Sequence, residues 1–129
     1  MPIHPHDERT YQIIGAAMEV HCILHRGLKE SLYGDALEVE FELRQIPFAR
    51  SVPCRVVYKT RPLGGDHFID FVCFGEVVVE LKATSAVTPA DEAQVLNYLA
   101  LFKKRVGLLL NFGAKSLQYK RFVLDIEPE

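Results

Sequence analysis

Two carboxylates and a lysine are the residues of this sequence most able to do chemistry together. Asp70 lies in one predicted strand, and Glu80 and Lys82 lie in the next. Side chains alternate across a strand, so Glu80 and Lys82 are expected on the same face. A tight connection at Gly75-Glu76 would make the two strands antiparallel and would place Asp70 across from the Glu80 region. The pattern therefore predicts two carboxylates converging beside an ammonium group.

Such a group of charges is suited to a hard divalent cation. Mg²⁺ prefers oxygen ligands and often binds only one or two carboxylates, with water and a substrate phosphate completing its coordination. A metal at this position could orient a water molecule, lower its pKa and stabilise charge on a phosphodiester. The alternative is an ordinary solvated strand face. The apolar neighbours of Glu80 nevertheless indicate partial burial, and a buried carboxylate needs a partner or a metal.

Hydrophobic periodicity predicts the elements that must position these residues. Two helices are expected over Asp7–His25 and Lys29–Gln45. A third begins at Thr88, with Pro89 at its first position, and ends near Lys104. The predicted strands are Ser51–Thr60, His67–Phe74, Val77–Lys82, Val106–Phe112 and Leu117–Leu124. The order ααβββαββ predicts an α/β fold with a mixed central sheet flanked by helices.

Length and composition predict one globular domain over residues 1–129, with a flexible N-terminal segment at 1–6. A hydrophobic content of 49% and a charged content of 25% exclude disordered and collagen-like proteins. Three cysteines form no C-x-x-C pair, which argues against a zinc ribbon or a thioredoxin-like site. The N-terminus has no apolar signal region, and no stretch is long enough to cross a membrane. We therefore expect a cytoplasmic protein that does not insert into membranes.

The net charge of −2 argues, as a total, against a strongly basic nucleic-acid binder. The charge is unevenly distributed, however, because residues 1–42 are acidic and two later segments contain bases and no acid. These bases are Arg44, Arg50, Arg55, Lys59 and Arg61 in the first segment, and Lys103, Lys104, Arg105, Lys115, Lys120 and Arg121 in the second. Local clusters of this kind bind phosphates. They support a nucleic-acid partner only if they flank the Asp70 and Glu80 face, and are otherwise ordinary surface charge.

The block from Glu19 to Val123 resembles the small bacterial GxxExxY proteins, a branch of the PD-(D/E)XK nuclease superfamily. The superfamily's αβββαβ core agrees with the order read from periodicity. The stretches that carry the resemblance are Gly27–Tyr33, Ile69-Asp70, Val77–Ala83, Thr88–Tyr98 and Val106–Phe112.

The resemblance implies a restriction-endonuclease-like core that hydrolyses phosphodiester bonds with Mg²⁺ or Mn²⁺. Asp70 and Glu80 would be the metal ligands, with the Leu81 carbonyl as a further ligand. Lys82 would position the attacking water or stabilise the developing charge. The implied substrate is nucleic acid, with DNA favoured over RNA. A homodimer is plausible by analogy with the superfamily.

The resemblance also implies two supporting residues and contains two departures. Glu30 would match the acidic residue of the first core helix, and Gln94 would match an auxiliary polar position, with Tyr98 one turn further on the same face. Family members commonly have Gly-Pro-Gly where this chain has His25-Arg26-Gly27, and an acidic residue where it has Gly34. Both departures affect the expected geometry around Glu30.

Three other interpretations remain open at the level of sequence. The chain could be a non-catalytic module that retains the nuclease fold and binds nucleic acid or a protein, or a stabilising fragment within a larger assembly. His21 and His25 have the spacing of metal ligands on a helix, although a pair of packing histidines is the more ordinary interpretation.

Overall fold

The computed structural model describes residues 7–65 and 67–125, so the predicted flexible segment at 1–6 lies outside the described residues. Three helices are present: α1 (Glu8–Leu24), α2 (Glu30–Leu43) and α3 (Pro89–Phe102). The seven strands are β1 (Phe48–Cys54), β2 (Val57–Tyr58), β3 (Arg61–Pro62), β4 (His67–Cys73), β5 (Val77–Lys82), β6 (Val106–Asn111) and β7 (Gln118–Val123). Within this part of the chain, no helix is long and apolar enough to cross a bilayer.

Five of the strands form one sheet in the order β1-β4-β5-β6-β7. The β5–β6 pair is parallel, as expected for strands joined by the crossover helix α3, and the other pairs are antiparallel. Helices α1 and α2 cover one face of the sheet with a core that includes Ile13, Tyr33 and Phe71. Helix α3 covers the other face through Val95 and Leu99. The predicted mixed sheet flanked by helices is confirmed.

The local sequence explains these elements. Thr88 accepts a hydrogen bond from the Asp91 N–H, and the Asp91 side chain accepts one from the Thr88 N–H, so the start of α3 is a complete capping box. The β4–β5 turn has positive φ at Phe74 and Gly75, and the Glu76 N–H donates to the Cys73 carbonyl at 3.1 Å. The tight antiparallel hairpin predicted at Gly75-Glu76 is confirmed.

The predicted strand Ser51–Thr60 is wrong at both ends. Strand β1 begins at Phe48, directly after Pro47, and its pairing with β4 ends at Cys54 opposite His67. His67 is the first residue of β4, so the residues after Cys54 have no partner in the main sheet. Val57 and Tyr58 pair instead with Arg61 and Pro62 in a separate two-stranded hairpin. The period-two pattern continues past Cys54, but the sheet does not.

Candidate active site

The hydrogen-bond ladder between β4 and β5 ends immediately before the predicted carboxylates. Its last pair is Phe71 opposite Val79, and Asp70 and Glu80 occupy the next two positions. There the side chains bind the backbone of the neighbouring strand. The Asp70 N–H donates to Glu80 Oε1 at 3.3 Å, and the Leu81 N–H donates to Asp70 Oδ2 at 2.7 Å. The two carboxylates are therefore held side by side where the strands separate.

An irregularity in β1 coincides with this separation. Ser51 has a φ of 52° and lies opposite Asp70, between the pairs Arg50–Phe71 and Val52–Ile69. Phe71 packs into the core under α1 and α2, whereas Ile69, two residues earlier on β4, packs into the core under α3. Positive φ rotates an extended chain. In β1 and β4, the side chains that face α1 and α2 on one side of Asp70 therefore give way to side chains of the same parity that face α3 on the other. The regular alternation of side chains is interrupted at Asp70.

Glu80 is 5% exposed and belongs to the α3 side of the sheet. Burial, together with the negative charge of Asp70, raises the pKa of Glu80 to about 8. The hydrogen bond from the Asp70 N–H, and to a smaller degree the charge of Lys82, act in the opposite direction on the pKa of Glu80. Near neutral pH the folded protein is therefore stabilised by a positive charge at Glu80, whether a proton or a bound cation.

Lys82 forms an ion pair with Asp91 of α3, at 3.7 Å between Nζ and Oδ1. The same carboxylate accepts from the Thr88 N–H through Oδ2 at 3.0 Å. Its hydrogen bonds to Thr88 and, to a smaller degree, the charge of Lys82 lower the pKa of Asp91. The sequence predicts the helix start at Thr88 but not this contact. The signal available was an acidic residue in the first turn of the helix that follows Lys82.

Glu30 is the first residue of α2 and lies close enough to the site to interact with it. Partial burial of its carboxyl group, and then the charges of Asp70 and Asp91, raise the pKa of Glu30, while Lys82 lowers it. The residue as a whole is exposed. The fold thus brings Glu30 to the same end of the sheet as Asp70 and Lys82.

Gln94 is exposed on α3, and its side-chain amide donates to the Tyr98 hydroxyl at 3.3 Å. Burial, followed by the charges of Glu80, Cys54 and Asp70, raises the pKa of Tyr98. Gln94 is therefore connected to the carboxylates through Tyr98, and no direct bond between Gln94 and Asp70 or Glu80 is present among the described residues. Its amide lies at the rim of the group of charges.

Cys54 is a second neighbour that sequence reasoning missed. It is 4% exposed, and burial and the charge of Glu80 together raise the pKa of its thiol. Its burial is typical of a free cysteine, which packs as a small hydrophobic residue. A single cysteine in a period-two run carries no further signal, because its proximity to Glu80 depends on the order of the strands.

The loop after Lys82 is held by a fully buried amide, Asn111. Asn111 Oδ1 accepts from the Thr84 and Gly113 N–H groups, both at 3.0 Å. Its Nδ2 group donates to the Thr84 carbonyl at 3.0 Å and to Gln118 at 2.9 Å. A Cβ at Gly113 would overlap the Thr84 backbone, so the two loops lie in direct contact. The amide makes the full set of four hydrogen bonds available to it.

The two histidines with metal-ligand spacing have other roles. A ring nitrogen of His21 lies 2.9 Å from the Ala114 carbonyl, which joins the end of α1 to the β6–β7 loop. His25 follows α1 with a φ of 60°, a conformation that favours glycine, and its carbonyl accepts from the Tyr33 hydroxyl at 2.5 Å. Tyr33 thus organises the loop that leads to Glu30. Histidine adopts this positive φ at a cost in backbone strain that glycine would not have.

The second departure, at Gly34, also has a structural explanation. The Arg50 guanidinium lies 2.7 Å from where a Cβ of residue 34 would be. It pairs with Asp35 at 2.7 Å and lies 3.8 Å from Glu38. A side chain at position 34 would therefore crowd the Arg50 guanidinium, whose ion-pair partner is Asp35, the next residue in the chain.

The basic segments do not act as two uniform patches. Arg44 pairs with Glu40 at 2.6 Å, and Arg50 is neutralised by α2 as described. Lys104 donates to the Gly75 carbonyl at 2.9 Å, which places it at the opposite end of β5 from Lys82. The condition set by the sequence, that the bases flank the carboxylates, is not met by these three residues.

The chemistry of the donor set suits a hard cation. Asp70 and Glu80 each bind the backbone through one oxygen, which leaves the second oxygen of each carboxyl for another ligand. Two carboxylates, with water, are a normal complement for Mg²⁺. Within residues 7–65 and 67–125, no group of three or more His, Cys, Asp and Glu side chains could hold a metal. The arrangement therefore does not resemble a structural zinc site.

Comparison with known proteins agrees with this geometry. The family model of the PD-(D/E)XK nuclease superfamily matches residues 7–122. A solved structure described as "Crystal structure of SSO0001" is similar in fold, with a TM-score of 0.50 and 11% identity, over 96% of this chain and 81% of that one. No curated protein matches the chain. Because the family model covers nearly the whole described sequence and the fold is the one it implies, the chain belongs to the PD-(D/E)XK nuclease superfamily.

Proposed function

We propose that this protein is a metal-dependent nuclease that hydrolyses phosphodiester bonds, in DNA by preference and in RNA as the second candidate. The observation that carries the proposal is the pair Asp70 and Glu80, which lie side by side with Glu80 buried, Asp70 partly buried and Lys82 nearby. The superfamily supports a nuclease-like function in general terms. The proposal adds the GxxExxY branch, the named residues and a single catalytic domain over residues 1–129.

The proposed mechanism assigns each residue a separate task. Asp70, Glu80 and the Leu81 carbonyl would hold Mg²⁺ or Mn²⁺, which would lower the pKa of a water molecule and offset charge on the phosphodiester. Lys82, oriented by Asp91, would position the attacking water or stabilise the charge that develops on the phosphate. Gln94 and Glu30 would position substrate and water at the rim of the site.

The direct test is cleavage of labelled oligonucleotides by purified protein with Mg²⁺ or Mn²⁺. Asp70→Ala and Glu80→Ala should each abolish cleavage, because each removes one of the two carboxylates. Glu42→Ala is the matched control, since Glu42 is exposed near the end of α2, away from the carboxylates. Equal cleavage by the wild type and the two site variants would assign the activity to a contaminant and reject the proposal.

A second function is a non-catalytic module that retains the fold and binds nucleic acid or a protein. It is favoured by one observation: a Glu80 pKa of about 8 allows this carboxyl to be neutral near pH 7, without a metal. Calorimetric titration with Mg²⁺ at pH 8 separates the two functions. Heat of binding that disappears in Asp70→Ala supports the nuclease. Its absence in the wild type supports the non-catalytic module.

The proposal also includes a cytoplasmic location and a homodimer, in which each copy would cut one strand of a duplex. Light scattering during gel filtration measures the dimer directly. A mass of about 29 kDa is expected, which is twice the chain mass of 14.6 kDa. A mass that stays at the monomer value across concentrations, with and without duplex, would remove the dimer from the proposal.

A further inference from the structure

The segment between β1 and β4 leaves the main sheet and forms a small hairpin of its own, residues 55–65. Val57 pairs with Pro62 and Tyr58 pairs with Arg61, and neither strand makes substantial contact with the rest of the fold. Every residue of the segment is exposed except Val56. Two-stranded hairpins are at best marginally stable in water. This hairpin therefore projects an apolar and charged surface that no described helix or strand covers.

The charge of the hairpin is positive and unpaired. Within the described residues, Arg55, Lys59 and Arg61 form no ion pair. Arg44 and Arg50, in the same stretch of sequence, are both neutralised by acids of α2. The three hairpin bases thus remain available to an external polyanion.

An exposed aromatic side chain accompanies these bases. Tyr58 is 63% exposed, and as the cross-strand partner of Arg61 it projects from the same face of the hairpin. Lys59 Nζ lies 5.6 Å from the centre of the Tyr58 ring. Bases that bind phosphates, next to a ring on which nucleotides can stack, are the combination used to bind nucleic-acid strands. An acidic protein would use the charges but would not need the exposed ring.

The hairpin begins beside the candidate active site. Cys54 is the main-sheet residue directly before the hairpin, and it lies close enough to Glu80 for the charge of Glu80 to raise the pKa of its thiol. His67, the residue paired with Cys54, lies three residues before Asp70. A pocket of about 410 Å³ separates the base of the hairpin from the start of β4 and is lined by Cys54, Arg55, His67 and Phe68, among others. An extended chain from Cys54 reaches Lys59 over about 16 Å. A strand bound across the carboxylates would therefore continue onto the hairpin.

We propose that the hairpin is an arm that binds the phosphodiester backbone of nucleic acid next to the bond at the Asp70 and Glu80 site. This inference rests on the proposed function and extends it, because it names the surface that holds the substrate. It also gives a role to three bases that form no ion pair among the described residues. Arg55, Lys59 and Arg61 are binding residues in this proposal, and none of them takes part in the chemistry.

The test is fluorescence-anisotropy binding of labelled single-stranded and duplex oligonucleotides, in EDTA so that no cleavage occurs, over a series of KCl concentrations. The variant is Lys59→Gln/Arg61→Gln. The matched control is Lys103→Gln/Lys104→Gln, which removes the same charge at the opposite end of α3. Thermal denaturation of both variants verifies folding.

The hairpin variant is expected to bind about tenfold more weakly, with a salt slope smaller by about 1.5, because each phosphate contact contributes about 0.7 to 0.9 to that slope. The control should stay within about twofold of the wild type. Unchanged binding in the hairpin variant, or an equal loss in both variants, overturns the proposal. Displacement of the oligonucleotide by an equal charge concentration of polyglutamate also overturns it, in favour of an acidic protein partner.

Failure of this inference is distinguishable from failure of the nuclease proposal. If the wild type cleaves in Mg²⁺ and the hairpin variant binds oligonucleotides as tightly as the wild type, the role of the hairpin is rejected and the nuclease proposal is retained. Hairpin-dependent binding without any cleavage would retain the arm and support the non-catalytic module.

Discussion

At the scale of single residues, Glu80 is the group whose environment is least favourable to its charge. Burial and Asp70 both oppose ionisation and raise its pKa from 4.5 to about 8. Below about pH 4.5 the carboxyl is protonated in both the folded and the unfolded chain. As the pH rises towards 8, the unfolded chain loses this proton first, so the free energy of unfolding falls.

Glu80→Gln should therefore remove the loss of folding stability that accompanies ionisation of Glu80 as the pH rises. Without metal, the wild type is expected to lose stability between about pH 5 and 8, whereas the glutamine variant should lose on the order of 2 kcal/mol less over that range. Urea denaturation in EDTA at several pH values measures this difference. Parallel curves for the two proteins would show that Glu80 is not the titrating group. The same variant should have no nuclease activity, so stability and function change in opposite directions.

Asp91 is expected to act on Lys82 rather than on the substrate. Asp91→Asn keeps a side-chain oxygen for the Thr88 N–H and removes the charge that faces Lys82. We expect about tenfold lower kcat with little change in stability, because a misplaced catalytic group reduces rate more than folding. Thr88→Ala, which weakens the cap alone, should cost about 1 kcal/mol of stability and leave kcat nearly unchanged. Equal kcat values for the two variants would argue against a positioning role.

At the scale of elements, the loops at one end of the sheet are joined by buried polar contacts. Asn111, the last residue of β6, holds the Ala83–Thr84 loop, and the Phe112 N–H donates to the Lys82 carbonyl at 2.8 Å. The end of β5 is thereby fixed to the end of β6. These contacts, together with the pairing of β5 in the sheet, fix the position of Lys82.

Asn111→Ala should destabilise the protein by about 3 kcal/mol, since it leaves the Thr84 N–H and carbonyl without their buried partners. Chemical denaturation measures the loss. Gln118→Ala removes only one of the four bonds and serves as the milder control, with an expected cost of about 1 kcal/mol. A cost at Asn111 no larger than that at Gln118 would mean that water replaces the amide at little expense.

Periodicity and capping predicted these elements well where the pattern is local. The bounds of α1, α2 and α3 agree with prediction to within two residues at most ends, and the capping box at Thr88 and Asp91 is present. The prediction was wrong for Ser51–Thr60. Alternating apolar and polar residues indicate where a strand can form, but they do not indicate where the neighbouring strand ends. Whether a residue after Cys54 has a partner depends on β4, which begins at His67.

At the scale of the whole molecule, the candidate site is gathered at one end of the sheet. The end of β5 meets the beginnings of α2 and α3 there, so Glu30, Lys82 and Asp91 interact although they are far apart in sequence. The ends of β1 and β6 lie at the same end. The opposite end carries Lys104 and the β4–β5 turn. A net charge of −2 thus conceals an uneven distribution: the hairpin bases, which form no ion pair with any described residue, project beside the buried Glu80 and the partly buried Asp70.

Divalent metal should stabilise the whole fold, since a ligand that binds only the native state shifts the unfolding equilibrium. At pH 8, Mg²⁺ at about one hundred times its dissociation constant is expected to add about 2.7 kcal/mol and to raise Tm accordingly. Asp70→Ala should abolish the increase. The increase should be smaller at pH 6, where Glu80 holds its proton in competition with the metal. An equal increase in wild type and variant would indicate binding elsewhere.

The amino-acid sequence by itself determined the order of the three helices and of the five strands of the main sheet, the β4–β5 hairpin and the candidate residues Asp70, Glu80 and Lys82. Periodicity, turns and caps depend on neighbours in the chain. Only the tertiary structure decided that Asp91 pairs with Lys82, that Cys54 and Tyr98 border Glu80, and that residues 55–65 form a separate hairpin. These contacts join segments distant in sequence. They follow from the strand order β1-β4-β5 and the packing of α3, which no local pattern specifies.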